Sequence, residues 1–385
     1  MISRRKFLLG LSGAASAASL LAACQALPAA SGSTGDSIVF GVSGPFTGDN
    51  AEYGTIWKKG FNLALDEING AGGIKGRKIE LNYQDSQADP KQTVPIAQKF
   101  VSDSRILAEL GDFASPASMA ASPIYQRAKM VQLGFTNSHP KFTLGGSYMF
   151  STSVTQQISA AYMAQVAHEQ LKTPKQAILY LDTDWGHTTQ GIYVDKARKF
   201  GDQIVYAGSY LSTEKDFRSL LLKARDANPD VLILISYYND AALIVQQARA
   251  VGIKSKIFAA GSSYSPRFLS LGGEATEGVI LTAEFFPEDP RPDVQRFVQA
   301  YKKRYNETPD QFGAGAYDAL KLLAWAVERG GPDRVAIQEA LVKGKDIPSI
   351  MYGPFSFGPD RRIEHVKQYV ITVKNGKYAL YKGNA

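Results

Sequence analysis

The chain holds a single cysteine, Cys24, in 385 residues. An intramolecular disulfide and a cysteine-built zinc site are therefore excluded. Histidine is nearly as scarce. His139, His168, His187 and His365 stand far apart, without HxH or HExxH spacing, which argues against a histidine-cluster metal centre. No metal and no cofactor is expected. Beyond the N-terminal segment no apolar run reaches the roughly 18 residues that a membrane-spanning helix needs. No Lys/Arg run is interleaved with aromatics, so nucleic acid is a poor partner. Catalytic signatures are missing as well: no GxGxxG follows a strand pattern, and neither GxxxxGK[ST] nor GxSxG occurs. Acid pairs such as Asp182 and Asp184 flank a strand end, where solvated loop acids or helix caps are ordinary. No nucleophile or acid/base set is spelled out.

What is present is enough for real cores. Hydrophobic residues make up 44% and charged residues 21% of the chain, which excludes a disordered protein. The length allows two or three domains of ordinary size. The formal net charge is +7, but Arg4, Arg5 and Lys6 contribute to it. Without residues 1–23, 40 basic residues face 36 acidic ones, a mild surplus.

The N-terminus reads as an address. Ser3-Arg4-Arg5-Lys6-Phe7-Leu8 is a basic n-region with paired arginines, similar to a twin-arginine export motif, and Phe7 to Ala23 follows without charge. Leu21-Ala22-Ala23-Cys24 resembles a lipobox, whose cysteine is acylated after cleavage. The alternative is cleavage near Ala29-Ala30 with Cys24 discarded. Residues 1–24 are thus expected to be an export/lipoprotein signal and 25–36 a flexible tether. A lipid-anchored chain of this kind is held at a bacterial envelope membrane, in the periplasm or at the cell surface.

The body alternates strand and helix. Apolar runs at Ile38–Val42, Lys78–Asp85, Ile106–Leu110 and Val131–Phe135 predict strands, and Trp57, Phe61, Ala64, Leu65 and Ile68 recur at helical spacing. After about Phe150 the alternation restarts, with strands at Ala177–Leu181, Gln203–Tyr210, Val231–Ile235, Lys256–Ala259 and Val279–Ala283. Helices are expected near 159–171, 187–200, 217–226, 241–251, 293–305, 313–329 and 333–342. A hairpin turning at Asn375-Gly376 ends the pattern. Such β-α-β order predicts an α/β protein of two similar lobes, each a mostly parallel sheet covered on both faces.

Several short motifs then occur in a telling order. Gly41-Val42-Ser43-Gly44-Pro45-Phe46-Thr47-Gly48, Tyr53-Gly54, Asp66-Glu67-Ile68-Asn69 and Gly72-Gly73-Ile74-Lys75-Gly76 open the body. Asp85 to Lys91, Lys215-Asp216-Phe217, Gln247-Ala248-Arg249 and Glu277-Gly278 follow. Over roughly residues 37–340 the chain resembles the leucine/isoleucine/valine-type solute-binding proteins of ABC importers. The resemblance implies a two-lobed type I periplasmic binding fold with three hinge crossings, placed near Ser151–Ser153, Leu281–Ala283 and Tyr352–Phe355. The lobes would then be 37–152 plus 283–353 and 153–282 plus 354–385. It implies capture of a small solute in the cleft, delivery to a membrane permease with its ATPase, and no enzymatic activity. A ligand-sensing receptor domain is the competing role.

Ligands of open α/β sheets sit beyond the carboxyl ends of the strands. Ser115-Pro116 reads as N-cap and first helical position, and a helix N-terminus suits a carboxylate. Ser115 also matches the family's carboxylate-binding serine; capping alone is the alternative. Thr136 and Ser138, flanking Asn137, resemble positions that contact the ligand's carboxylate and amine, or form a polar turn. Tyr53, Trp185 and Tyr237 stand at three strand ends and together predict an apolar wall with polar tips. Tyr238, Tyr264 and His187 are weaker candidates. Amino-acid-binding relatives carry a glutamate in the loop that here reads Ala260-Gly261-Ser262-Ser263-Tyr264. Ser262 is counted as a candidate contact, but the loop has no acid. Either Asp184 or Asp240 substitutes, or the ligand lacks an ammonium. Branched-chain amino acids are the default, with aromatic or short carboxylic acids and amides as competitors.

Overall fold

The computed structural model describes residues 37–363 and 366–383. Cys24, the export signal and the tether lie outside the described residues. In chain order the first part runs β1 (Ile38–Gly44), α1 (Ala51–Gly70), β2 (Ile79–Asp85), α2 (Pro90–Ser102), β3 (Ile106–Leu110), α3 (Ser115–Arg127), β4 (Val131–Gly134), α4 (Lys141–Leu144) and β5 (Met149–Ser151). All five strands are parallel, in the order β2-β1-β3-β4-β5. The next part runs α5 (Gln156–Glu169), β6 (Lys175–Leu181), α6 (Asp184–Lys199), β7 (Gln203–Tyr210), α7 (Arg218–Asp226), β8 (Val231–Ile235), α8 (Tyr238–Ala250), β9 (Lys256–Ala259), α9 (Pro266–Gly272) and β10 (Ile280–Ala283). Helices α10 (Pro292–Tyr305), α11 (Gln311–Gly330) and α12 (Arg334–Lys343) follow, then the hairpin β11 (Tyr369–Lys374) and β12 (Lys377–Leu380). The second sheet has seven strands in the order β12-β11-β10-β9-β8-β6-β7, parallel except for the hairpin.

Burial on both faces follows from the strand sequences. In β8 every side chain is buried. Val231, Ile233 and Ile235 pack with Ala160, Met163 and Ala164 of α5 and Tyr193 and Ala197 of α6. Leu232 and Leu234 point the other way, toward Ala241, Ile244 and Val245 of α8. The period of two sends alternate residues to opposite helical layers, so a strand covered on both sides has no polar position.

The chain passes between the sheets three times. It leaves the first sheet after β5 and returns after β10, where α10–α12 join the first sheet's helices. There α11 lies on α1 at a glycine crossing: a Cβ at Gly60 would stand 2.2 Å from the Gly313 carbonyl oxygen. The Arg334 guanidinium of α12 donates to the carbonyl of Ile106 at 3.1 Å, at the start of β3. The last passage comes later than Tyr352–Phe355. Phe357 still packs edge-on against Phe150 of β5, and Arg362 bridges Ser151 of the same strand. The sequence pattern gave no warning, because this segment carries isolated bridges and no regular element.

Several element starts differ from the sequence reading, among them those of α3, α6 and α8. Helix α3 is capped at Ala114, so Ser115 is its first helical residue and caps nothing. Helix α6 begins at Asp184, three residues early, because extended Thr183 accepts from the Gly186 N–H. A Cβ at Gly186 would lie 1.9 Å from the Leu181 carbonyl oxygen, so glycine lets the helix start that close to its strand. Helix α8 starts at Tyr238, whose N–H is taken by the Tyr53 hydroxyl. The three-residue β5 was too short to register as a strand.

The glycine crossing yields a test. Gly60→Ala is expected to lose about 1–3 kcal/mol by overpacking. Gly70→Ala, at the open end of the same helix with nothing within 4 Å, is expected to stay within about 0.5 kcal/mol of the parent. Urea unfolding of both variants measures the difference, and equal losses would contradict the close-packed crossing.

Candidate functional site

In each sheet the strand order reverses at one point: between β1 and β3 in the first, and between β6 and β8 in the second. The carboxyl ends of strands flanking such a point cannot be bridged by a connecting helix, so a crevice forms there. The two crevices face each other and enclose a cavity of about 90 Å³. Phe113, Ser115, Thr136 and Ser138 line it from the first sheet; Trp185, Tyr237 and Ser262 line it from the second.

The first-sheet wall is polar. Ser115 Oγ accepts from the His139 N–H at 3.3 Å, which leaves its own proton free to donate. The Ser118 N–H, which a serine cap at 115 would have served, bonds the Ala114 carbonyl at 3.1 Å instead. The Thr136 hydroxyl donates to the Phe113 carbonyl at 3.0 Å. Ser138 Oγ accepts the indole N–H of Trp185 at 3.2 Å, a bond from one sheet's loops to the other's. Beneath this wall lies Arg362, only 3% exposed. Its guanidinium donates to the carbonyls of His139 at 2.6 Å and Asn137 at 3.1 Å, and to Thr143 Oγ1 at 3.2 Å. Burial lowers its pKa to about 10, so it stays charged at neutral pH. One buried cation thus fixes the Thr136–His139 loop through its carbonyl oxygens.

The opposite wall is aromatic. Trp185 and Tyr237 stack at 5.2 Å with a 22° interplanar angle, and Tyr237 meets Phe113 edge-on at 5.2 Å. Tyr53 is placed differently from its expected position in the wall. It is fully buried behind Phe113, stacked on that ring at 3.9 Å. Its hydroxyl donates to the Ser262 carbonyl at 2.5 Å, so Tyr53 joins the loops from behind. The Ser262 hydroxyl donates to the Ser236 carbonyl at 2.7 Å.

Other candidates stand elsewhere. His187 pairs with Asp182 at 2.6 Å near the surface, Tyr264 packs against Tyr378, and Tyr238 donates to the Asp49 carbonyl. Neither acid weighed as a counter-charge lines the cavity: Asp184 pairs with His139 at 3.0 Å, and Asp240 faces Lys215 at 3.6 Å. The wall does carry a carboxylate, Glu284, directly after β10. Burial raises its pKa to about 7, opposed by the Tyr352 hydroxyl and the Val154 N–H. Gln156, Gln311, Phe135 and Phe312 also line the cavity and were not singled out from the sequence. The strand-end rule applied to Val279–Ala283 would have found Glu284; the residues on α5 and α11 carry no such signal. Among the described residues no cluster of three His, Cys, Asp or Glu could hold a metal, and no helix is long and apolar enough to cross a membrane.

Fold and site together describe a two-sheet binding-protein fold with one lined cavity between its sheets. Residues 37–377 match the periplasmic binding protein family. The chain is 29% identical to Leu/Ile/Val-binding protein homolog 1 of Brucella suis, over 82% of this chain and 85% of that one. It is 30% identical to Leu/Ile/Val-binding protein homolog 8 of Brucella abortus, over 90% and 91% respectively. The crystal structure of the branched-chain amino acid transporter substrate-binding protein LivJ from Streptococcus pneumoniae, in complex with isoleucine, superposes with a TM-score of 0.83 at 27% identity. That superposition covers 89% of this chain and 97% of that one. The chain belongs to the periplasmic binding protein family, in its leucine/isoleucine/valine-binding group, a family of solute-binding proteins and not of enzymes.

Arg362→Met removes the guanidinium beneath the loop and leaves the Asn137 and His139 carbonyls with one donor each, the Ser151 hydroxyl and the Phe142 N–H. Hydrogen bonds from a charged donor contribute about 1.5–3 kcal/mol, so a loss of that order is expected in urea unfolding. A change below about 0.5 kcal/mol would show that the loop holds itself.

Proposed function

We propose that this protein is the extracytoplasmic substrate-binding component of an ABC importer. It captures a small carboxylate-bearing solute between its two sheets and hands it to a membrane permease driven by an ATPase. The enclosed cavity where the two switch points meet is the observation that carries this reading. Ser115, Thr136 and Ser138 would meet the carboxylate at the N-terminus of α3, where free N–H groups and the helix dipole favour an anion. Trp185 and Tyr237 would cover the apolar part, with Ser262 at its edge. A branched-chain amino acid is the leading ligand, since similar proteins are named for leucine, isoleucine and valine. An aromatic or short carboxylic acid is the competitor.

The two lobes, hinged at the three passages, would open to admit the solute and close on it. Ligand binding energy then shifts the open–closed equilibrium, and the permease recognises the closed form. Export through the N-terminal signal and acylation at Cys24 would hold the receptor beside that permease.

The test is thermal unfolding of the refolded, ligand-stripped protein against amino acids, aromatic acids, short acids and amides. A ligand at 100 times its dissociation constant adds about 2.7 kcal/mol, which is visible as a raised Tm. Ser115→Ala and Trp185→Ala are each expected to weaken binding about tenfold or more while the apo protein stays folded. No shift with any compound would sink the receptor reading. Unchanged affinity in both variants would sink the site assignment.

A further inference from the structure

The cavity wall carries one charged side chain. Among the residues lining it, Glu284 is the sole acid, and there is no Lys, Arg or His. Glu284 Oε2 accepts from the Tyr352 hydroxyl at 3.0 Å, and among the described residues no cation meets it. Its backbone N–H is held by Gln311 Oε1 at 2.9 Å, and the same Gln311 amide donates to the Gly261 carbonyl at 2.7 Å. One glutamine therefore ties the end of β10 to the loop after β9, which fixes where the carboxyl stands. A second group on the wall lacks a donor. Gln156 gives its side-chain N–H groups to the Trp185 carbonyl and to Thr189. The carbonyl can only accept, so the amide orientation is set. Gln156 Oε1 is left buried without a partner, and Gln156 itself is 1% exposed.

We propose that Glu284 selects the charge of the solute by receiving its protonated amino group, with Gln156 Oε1 accepting a further N–H. The cavity then takes amino-bearing acids and rejects their deaminated counterparts. This deepens the receptor reading and rests on it.

Charge must balance between a ligand and the cavity wall. A ligand carboxylate alone would place two carboxyl groups in one water-poor cavity, where like charges cannot both ionise cheaply. An ammonium supplies the missing counter-charge and a donor for the orphan acceptor. The Tyr352 hydroxyl is buried and keeps its proton well above the usual range, and Asp318 of α11 lies behind Tyr352. Asp318 is itself bonded to Ser349 and to the N–H groups of Ile350 and Met351, with Arg291 beyond. The connector after β5 offers the Val154 N–H, and the approach to β11 offers uncharged Gln368. Burial holds the empty-site pKa of Glu284 up to about 7. An ammonium would pull it down, so binding near pH 6 releases a proton. Affinity should then be full above pH 7 and fall as pH drops from about 7 toward the bound-state pKa. A ligand with only a carboxylate gives the opposite sign, with proton uptake and affinity falling as pH rises through 7.

The experiment uses the refolded wild-type protein and Glu284→Gln with matched probes: the common L-amino acids, 4-methylpentanoate and 3-phenylpropanoate as deaminated leucine and phenylalanine, and benzoate. Calorimetry in two buffers of different ionisation enthalpy reads the proton count between about pH 5 and 8 on the wild type alone, so the test survives a variant that fails to fold. The expected result is binding of an amino-bearing probe, proton release, affinity rising with pH, and at least about 30-fold weaker binding by Glu284→Gln. Binding confined to the deaminated acids, proton uptake, or a Glu284→Gln affinity within about threefold of wild type would overturn the proposal while leaving a receptor. Silence toward every probe would instead count against the receptor reading itself.

Discussion

A seam of four aromatic rings joins the two sheets, and the site depends on it. Tyr53 stacks on Phe113, Phe113 meets Tyr237 edge-on, and Tyr237 stacks on Trp185. The first two rings follow strands of the first sheet and the last two follow strands of the second. Aromatic pairs contribute about 0.5–1.5 kcal/mol each beyond the area they bury. Because the Trp185 N–H also donates to Ser138 and the Tyr53 hydroxyl to the Ser262 carbonyl, the seam has direction as well as area. Apolar rings alone could slide; these two bonds fix the register of one wall against the other.

The seam also sets the dielectric of the cavity behind it. With water excluded, each polar group on the wall counts for more, and each unpaired one costs more. That is why Arg362 buried under the Thr136–His139 loop and Glu284 at the end of β10 matter beyond their number. The first organises a polar wall through carbonyl oxygens. The second is a carboxyl that burial leaves half-titrated near neutral pH. In the proposed receptor role, a solute completes both arrangements at once, and the free energy it supplies is what holds the lobes together.

Much of this could be read from the residues. Period-two and helical patterns placed the major strands and helices, since β8 is buried on both faces and carries no polar residue. Asn375-Gly376 marked the hairpin because its turn needs positive φ at both positions, observed at 53° and 68°. Ser115, Thr136, Ser138, Trp185, Tyr237 and Ser262 fell to the strand-end rule and to the family resemblance. The structure brings them around one cavity, and their roles toward a ligand are the proposal made above. What was not legible depended on partners distant in sequence. Tyr53 passed for a wall residue because nothing local reveals Phe113 in front of it. Glu284 and Gln311 meet only after the chain has crossed back and α11 has docked on α1. The late third passage rests on Arg362 finding carbonyl oxygens more than 200 residues upstream, at separations of 223 and 225.

In the proposed receptor the two walls close on a solute and part without it. Gln87 and Ser212, both exposed, stand on opposite sides of the groove at the cleft mouth. Spin labels at these two positions, in a variant lacking Cys24, would report the separation directly by pulsed dipolar spectroscopy on ligand-stripped protein. The account predicts a long, broad distance distribution that collapses to one short distance when a bound solute is added. A short distance that is the same with and without solute would contradict it.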